Sequence, residues 1–373
     1  MRIAAIGDAH LGRSYYSFTD PETGVNRRER DFEISFETAV EAALAQRPDL
    51  VVWLGDIFDH PRPTYRSYRI AQRALARIRD HGLRCAVISG NHDTPRLPGM
   101  GSPYSALADA FPDNYWAHRL TYERFDLPGL TIHAVPQMLK VAETLEALEM
   151  ADAQRSADRT NLLLTHPRLT QVEPRYADIN EIELDQGALK ADLVLLGHYH
   201  VHQRVANGMW YAGSPDSFSF ADDPDQPKGI AVLDTDTGEF THVPVEPQRR
   251  LETLETIHAA GLSPSELQAA VLERAGLAQP MAIARLFIDL VDPEVYRLLD
   301  TDAIHDAAAH TLLLKIEPQF AATSHEVQLP EIESLPGRWD RFLEPQDLLG
   351  YDRDRLRLLG HEYLGRAVEE AEP

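Results

Sequence analysis

The chain has 373 residues, 43% of them hydrophobic, and a formal net charge of -23 from 59 acidic and 36 basic side chains. That length suggests two domains and a tail, and no apolar run is long enough to span a bilayer, so no membrane partner is expected. Cys85 is the only cysteine, which excludes an intrachain disulfide and a thiolate metal site; Met1–Gly7 runs into a candidate catalytic strand and not a cleavable leader, so the expected compartment is the cytoplasm.

Ile3–Ile6 is a short apolar run that ends in Gly7-Asp8. Phe32, Phe36, Val40, Ala43 and Leu44 recur at helical spacing and predict a helix over Phe32–Gln46, which Pro48-Asp49 ends. Leu50–Leu54 is then a buried strand running into Gly55-Asp56. Tyr65–His81 reads as a second amphipathic helix closed by Gly82, and Arg84–Ser89 as a strand ending at Gly90-Asn91-His92-Asp93. This order implies a parallel α/β core, in which ligands gather at the carboxyl ends of the strands. Leu130–Val135, Asn161–Leu164 and Leu193–Leu196 are further strands, the last two leading to His166 and His198. Met209–Pro215 and Gly229–Leu233 continue the pattern, with a polar turn at Asp234–Gly238. The charged Glu246–Arg250 stretch marks a boundary, giving a first domain over residues 1–246. Beyond it lie a helix over Pro264–Ala275, a strand over Ala282–Leu290, a mostly helical Pro293–Ala309 and a strand over Thr311–Ile316. That is a small α/β unit over residues 247–320 with no cluster of metal ligands. After Pro318 the chain is polar and irregular to about Pro336, and Pro345–Glu370 predicts one or two amphipathic helices in a terminal segment, 321–373.

Five motifs supply hard or borderline metal ligands: Asp8-Ala9-His10, Gly55-Asp56-Ile57-Phe58-Asp59, Gly90-Asn91-His92-Asp93, Thr165-His166 and Gly197-His198-Tyr199-His200. A pair of divalent ions roughly 3.5–4 Å apart can clamp the attacking and leaving oxygens of a displacement at phosphorus. Such a centre needs one carboxylate able to touch both ions, and Asp56 is the natural candidate. It also needs His and Asp on each side, and a neutral oxygen donor such as Asn91. A nitrogen and oxygen set without thiolates suits Mn, Fe or Zn better than Mg or Ca. Taken alone, Asp-x-His is weak and His166 could simply bond to backbone; five such motifs in this order are not an accident of composition. Asp59 and Asp93 suit helix capping or the orienting of a ligand better than direct ligation. His60 and His202 read as exposed bystanders. His92 adjoins a metal-binding Asn, so it can face the substrate and donate a proton to the leaving oxygen, with Asp93 holding its tautomer. Tyr15, Tyr16 and Phe18 either stack on a base or pack their own loop.

The five-motif series resembles the calcineurin-like metallophosphoesterase superfamily, whose pattern is D-x-H, G-D-x-x-D, G-N-H-[DE], a lone H and G-H-x-H. The resemblance covers roughly the first 235 residues and implies an α/β fold, a β-sandwich flanked by helices. It implies one metal on Asp8, His10, Asp56 and His200, a second on Asp56, Asn91, His166 and His198, and His92 as the catalytic histidine. A narrower likeness is to the SbcD-like nucleases of DNA double-strand-break repair. It rests on Gly7-Asp8-Ala9-His10-Leu11-Gly12, on Gly55–Asp59, and on Tyr211-Ala212-Gly213-Ser214-Pro215 followed by Phe218-Ser219-Phe220 and Lys228-Gly229. It implies a Mn-dependent DNA exonuclease and endonuclease with two metal ions, a DNA-capping domain after residue 250, and C-terminal helices that dock on an SbcC-type ATPase. A homodimer through Tyr65–His81 and Tyr104–Phe111 is implied by the same analogy. Three features depart from the family: the fourth motif, Thr165-His166-Pro167, lacks the paired histidine that is frequent there; the capping region and tail are shorter than in the longest relatives; and the net charge is strongly negative, whereas phosphate contacts need Lys and Arg. The motifs alone leave open a small-molecule phosphodiesterase and a metal-stabilised scaffold without catalysis.

Overall fold

A computed structural model gives the fold and describes residues 1–97, 100–172, 181–220, 222, 226–321, 335–346, 348 and 352–369. The chain divides into two compact units, Met1–Phe320 and Ala321–Pro373.

The strand Leu50–Leu54 is buried at every position, which is why it reads as an unbroken apolar run. It lies between Arg2–Ile6 and Cys85–Ile88, and these three strands and Tyr115–Ala117 run parallel. Gly229–Asp234 and Phe240–Pro244 extend the sheet past Arg2–Ile6 in antiparallel fashion. A second six-stranded sheet has the order Gln203–Ala206, Met209–Tyr211, Leu193–Leu196, Thr160–Thr165, Leu130–Val135, Glu123–Leu127, and its middle four strands are parallel. Alternate residues face opposite sides of a strand. Ile3, Ala5, Val52 and Leu54 therefore meet Ile132, Leu162, Leu164 and Leu195 between the sheets. Ala4, Ile6, Val51 and Trp53 face outward onto Phe36, Val40, Ile70 and Leu75 of two helices, Arg27–Ala45 and Tyr65–Asp80. On the far side, Leu163, Val194 and Leu196 pack with Ala147 and Leu148 of helix Val141–Ala153.

The α/β sandwich expected from the sequence is thus present, with differences at element ends. The first helix starts before Phe32, because Asn26 accepts from the Arg28 and Glu29 amides; its charged first turn carries no apolar period to reveal it. Glu123–Leu127 and Val141–Ala153 were not anticipated.

Within the same unit, the third sheet has its own core. Leu251–Thr253, Ile257–His258 and Leu313–Phe320 all pair in parallel with Ile283–Val291. Leu286, Ile288 and Val291 pack on Leu267 and Val271 of helix Pro264–Leu277, which begins with a capping box between Ser263 and Glu266. The mostly helical stretch expected over Pro293–Ala309 consists of two helices, Pro293–Arg297 and Thr301–Ala307, because Asp300 accepts from the Asp302 and Ala303 amides and restarts the helix. In the second unit Leu335–Leu343 and Arg353–Glu369 are helices, joined by bonds from Trp339 to the Leu356 carbonyl and between His361 and Asp340. The first of them lies wholly before the expected Pro345–Glu370 stretch and was not anticipated, and most of the irregular stretch expected after Pro318 (322–334) lies outside the described residues. No helix among the described residues is long and apolar enough to cross a membrane.

Candidate metal centre

The carboxyl ends of five parallel strands, three from one sheet and two from the other, open onto one rim. Asp8, His10, Asp56 and His198 all sit there with positive φ, at 51°, 47°, 50° and 92°. Each such non-glycine residue costs about 1–3 kcal/mol, so neighbouring bonds must hold it. They are visible: the Asp8 amide donates to the Gly55 carbonyl at 3.1 Å and the His10 amide to the Asp56 carbonyl at 2.8 Å. The Asp8 carboxylate accepts from the His198 amide at 2.9 and 3.1 Å, which ties the two sheets together. Asp56 Oδ1 accepts from the His92 amide at 2.8 Å. Gly90 allows the approach, because a Cβ there would lie 2.2 Å from Asp56 Oδ1.

Four histidines share one arrangement. His10 Nδ1 is 2.9 Å from Asp59 Oδ1, and His166 Nδ1 is 2.6 Å from the Leu54 carbonyl oxygen. His198 Nε2 is 3.4 Å from Glu181 Oε1, and His200 Nδ1 is 3.3 Å from Asp222 Oδ1. Each acceptor fixes the proton on the outer nitrogen and leaves the inner nitrogen as a lone pair. The inner nitrogens then meet other acceptors. His166 Nε2 lies 3.2 Å from Asp56 Oδ2 and 3.2 Å from Asn91 Oδ1, and His198 Nδ1 lies 3.1 Å from the same Asn91 oxygen. His10 Nε2 is buried with no hydrogen-bond partner, 3.7 Å from Asp56 Oδ2. A convergence of lone pairs is satisfied only by a proton or a cation, so the donor set fits a metal. Three groups among the described residues bring their donors close enough to hold an ion: Asp8 with His10 and His200, Asp56 with His166 and His198, and His10 with Asp59 and His92; the first two are fully buried, and the third shares His10 with the first and is part-exposed.

The electrostatics agree. Burial opposes charge on His166, yet the Asp56 and Asp8 carboxylates push it up to about 9, so in the metal-free protein a proton stands where a cation would. Burial pulls His10 down to about 3 and leaves it neutral. Burial and the neighbouring Asp56 raise Asp93 to about 7. Burial also raises Asp8, whereas His166 and His92 hold Asp56 well below the usual carboxylate range in spite of burial.

All seven ligand candidates, Asp8, His10, Asp56, Asn91, His166, His198 and His200, come together at this rim. His92 is beside them and part-exposed, its ring 4.6 Å from that of His10. Neither Asp59 nor Asp93 caps the helix that follows, since Thr64 caps Tyr65–Asp80 and Pro103 precedes Tyr104–Ala110. Asp93 does not hold the His92 tautomer. Its carboxylate faces inward and accepts from the Gly90 amide at 2.7 Å, the Ile57 amide at 3.0 Å and the Tyr104 hydroxyl. His92 Nδ1 instead meets Asp59, 3.2 Å from the carbonyl and 3.6 Å from Oδ1. Asp59 also accepts from Arg13 at 2.9 Å. Sequence reading did not find Glu181, Asp222, Tyr104 or Arg13; each is a polar residue in a loop or at a helix start, outside the five motifs, and only folding brings it to the histidine or aspartate it serves.

Residues 1–202, more than half of the chain, match the family model for calcineurin-like phosphoesterases, and the chain belongs to that family. Its relatives include the DNA double-strand break repair protein Mre11 of Saccharolobus solfataricus, 27% identical over 221 residues, 58% of this chain and 55% of that protein. The Mre11 protein of Methanocaldococcus jannaschii is 26% identical over 242 residues, 63% of this chain and 62% of that one. The match therefore spans less than two thirds of either relative. Among solved structures, a dimetal phosphatase from Danio rerio aligns with 62% of this chain and 91% of its own, at 15% identity and a TM-score of 0.39.

Proposed function

We propose that the chain is a metal-dependent DNA phosphodiesterase, acting as exonuclease and endonuclease on DNA ends in the cytoplasm. The carrying observation is the arrangement of four histidines that turn lone pairs inward onto Asp8, Asp56 and Asn91, with His92 outside the set. Asp8, His10, Asp56 and His200 would hold one ion; Asp56, Asn91, His166 and His198 would hold the other. The donor set suits Mn, and two such ions polarise a phosphodiester and activate water. Asp56 keeps Oδ2 toward both clusters because Oδ1 is engaged by the His92 amide. His92, steadied through Nδ1 by Asp59, presents Nε2 to the leaving oxygen and, when protonated, passes it a proton. Arg13 and His10 in turn fix Asp59.

The choice of DNA is supported by the names of the relatives. Residues 1–246 would form the nuclease domain, 247–320 a DNA-capping domain, and 321–373 a docking segment for an SbcC-type ATPase. A homodimer would use the surface of Tyr65–Asp80 and Tyr104–Ala110. The test offers the protein with Mn to linear duplex DNA, single-stranded DNA and a small diester, with His92→Ala alongside. DNA cleavage that His92→Ala lowers by about 10²–10⁴-fold is expected. Cleavage of the small diester alone, with or without the ATPase, would refute the nuclease reading, and no cleavage of any substrate together with no retained metal would refute the enzyme.

A further inference from the structure

Tyr211–Lys228 entered as a family likeness without a physical role. In the folded chain three of its side chains converge on one residue, His200. Asp222 places Oδ1 3.3 Å from His200 Nδ1. Its other oxygen accepts from the Phe218 amide and, at 3.3 Å, from the Ser219 amide. The Phe218 ring so held lies 4.4 Å from the His200 ring and 4.8 Å from the His10 ring, centroid to centroid, with Phe32 behind it at 4.8 Å. Lys228, fully buried, donates to the His200 carbonyl at 2.7 Å and to Ser214 Oγ at 3.3 Å. It lies 3.8 Å from Asp222, so the buried carboxylate has a countercharge. The segment is itself anchored: Asp216 accepts from Ser35 at 2.6 Å and from Arg28 at 3.4 Å, and Arg28 also donates to the Ser217 carbonyl at 2.6 Å.

We infer that Asp222, Lys228 and Phe218 are positioning residues for the metal subsite of Asp8, His10 and His200, and for that subsite alone. Asp222 sets the His200 tautomer, Lys228 fixes its backbone, and Phe218 sets the planes of both imidazoles. The other subsite takes its orientation elsewhere, His166 from the Leu54 carbonyl and His198 from Glu181. The inference rests on the two-metal reading above. It also gives Ser214, Phe218 and Lys228 a task that involves metal and not DNA.

The test is Mn titration of the full chain by electron paramagnetic resonance and calorimetry. Wild type is expected to bind two ions. Asp222→Ala should keep one at wild-type affinity and bind the other about 10- to 100-fold more weakly. Asp222→Asn, which keeps an acceptor oxygen, should fall between. A purely structural role would shift both ions or neither. His200→Ala combined with Asp222→Ala should bind no more weakly than His200→Ala, because both act on one site. If circular dichroism shows Asp222→Ala unfolded, Lys228→Met carries the same expectation. Two ions at wild-type affinity in a folded variant, or equal weakening of both, overturns the inference and leaves the two-metal reading standing. Fewer than two ions in wild type overturns both.

Discussion

Alanine at Gly197 would place a methyl carbon 2.0 Å from the Leu54 carbonyl oxygen and 2.5 Å from His166 Nδ1. Those two atoms are themselves only 2.6 Å apart, joined by the bond that orients His166. Gly197 is not among the residues with positive φ, so the effect is steric and not conformational. Overpacking a tight interior costs about 1–3 kcal/mol, and a buried acceptor left without its donor about 1–3 kcal/mol more, or about 2–6 kcal/mol together. That is a large share of the about 5–15 kcal/mol that separates folded from unfolded domains. If the chain survives the loss, the imidazole must turn, and its inner nitrogen leaves Asp56 and Asn91. Metal affinity at that subsite should then fall about 10- to 100-fold. Urea unfolding of the metal-free variant and Mn titration of the folded fraction give the two numbers. Wild-type stability together with wild-type affinity would show that the strand ends do not pack as described.

Metal-free protein should be sensitive to pH through His166. Its folded pKa of about 9 lies above the ordinary 6.5, so its stabilising contribution is complete below about 6.5 and lost as pH rises through 9. At about 1.4 kcal/mol per unit that is about 3 kcal/mol, visible as a falling melting temperature between those limits. Metal must displace the same proton, so apparent affinity should rise about tenfold per unit from pH 7 to 9, with proton release seen by calorimetry in two buffers. A flat profile with no release would contradict the placement of His166 against Asp56. His92→Ala should retain both ions and lose about 10²–10⁴-fold in turnover; loss of metal instead would make His92 a ligand.

The candidate ligands were legible because a strand buried on both faces is a continuous apolar run, and its end is marked by the first polar residues. Leu50–Leu54 followed by Gly55-Asp56 shows this most plainly. The groups that hold those ligands were not. Asp222 and Glu181 are acidic residues in polar stretches, and only tertiary contact brings them to His200 and His198. Asp59 and Asp93 had the residue types expected, but proximity in sequence misassigned one task. Asp93 adjoins His92 in the chain and turns inward to Tyr104, while Asp59, from another strand end, meets the His92 ring. The left-handed backbone at Asp8, His10, Asp56 and His198 was hidden for a related reason, since bonds between loops impose it against local preference. The third sheet was visible as alternating elements, whereas the break at Asp300 needed the capping bond to be seen.

Asp56 would be shared by two metal subsites, since its Oδ2 lies 3.7 Å from His10 on one side and 3.2 Å from His166 on the other. Metal content of the purified chain after loading with Mn and removal of excess tests it directly. Wild type should carry two equivalents and Asp56→Ala, shown to be folded, close to none. Two full equivalents in Asp56→Ala would contradict the sharing of Asp56 between the subsites.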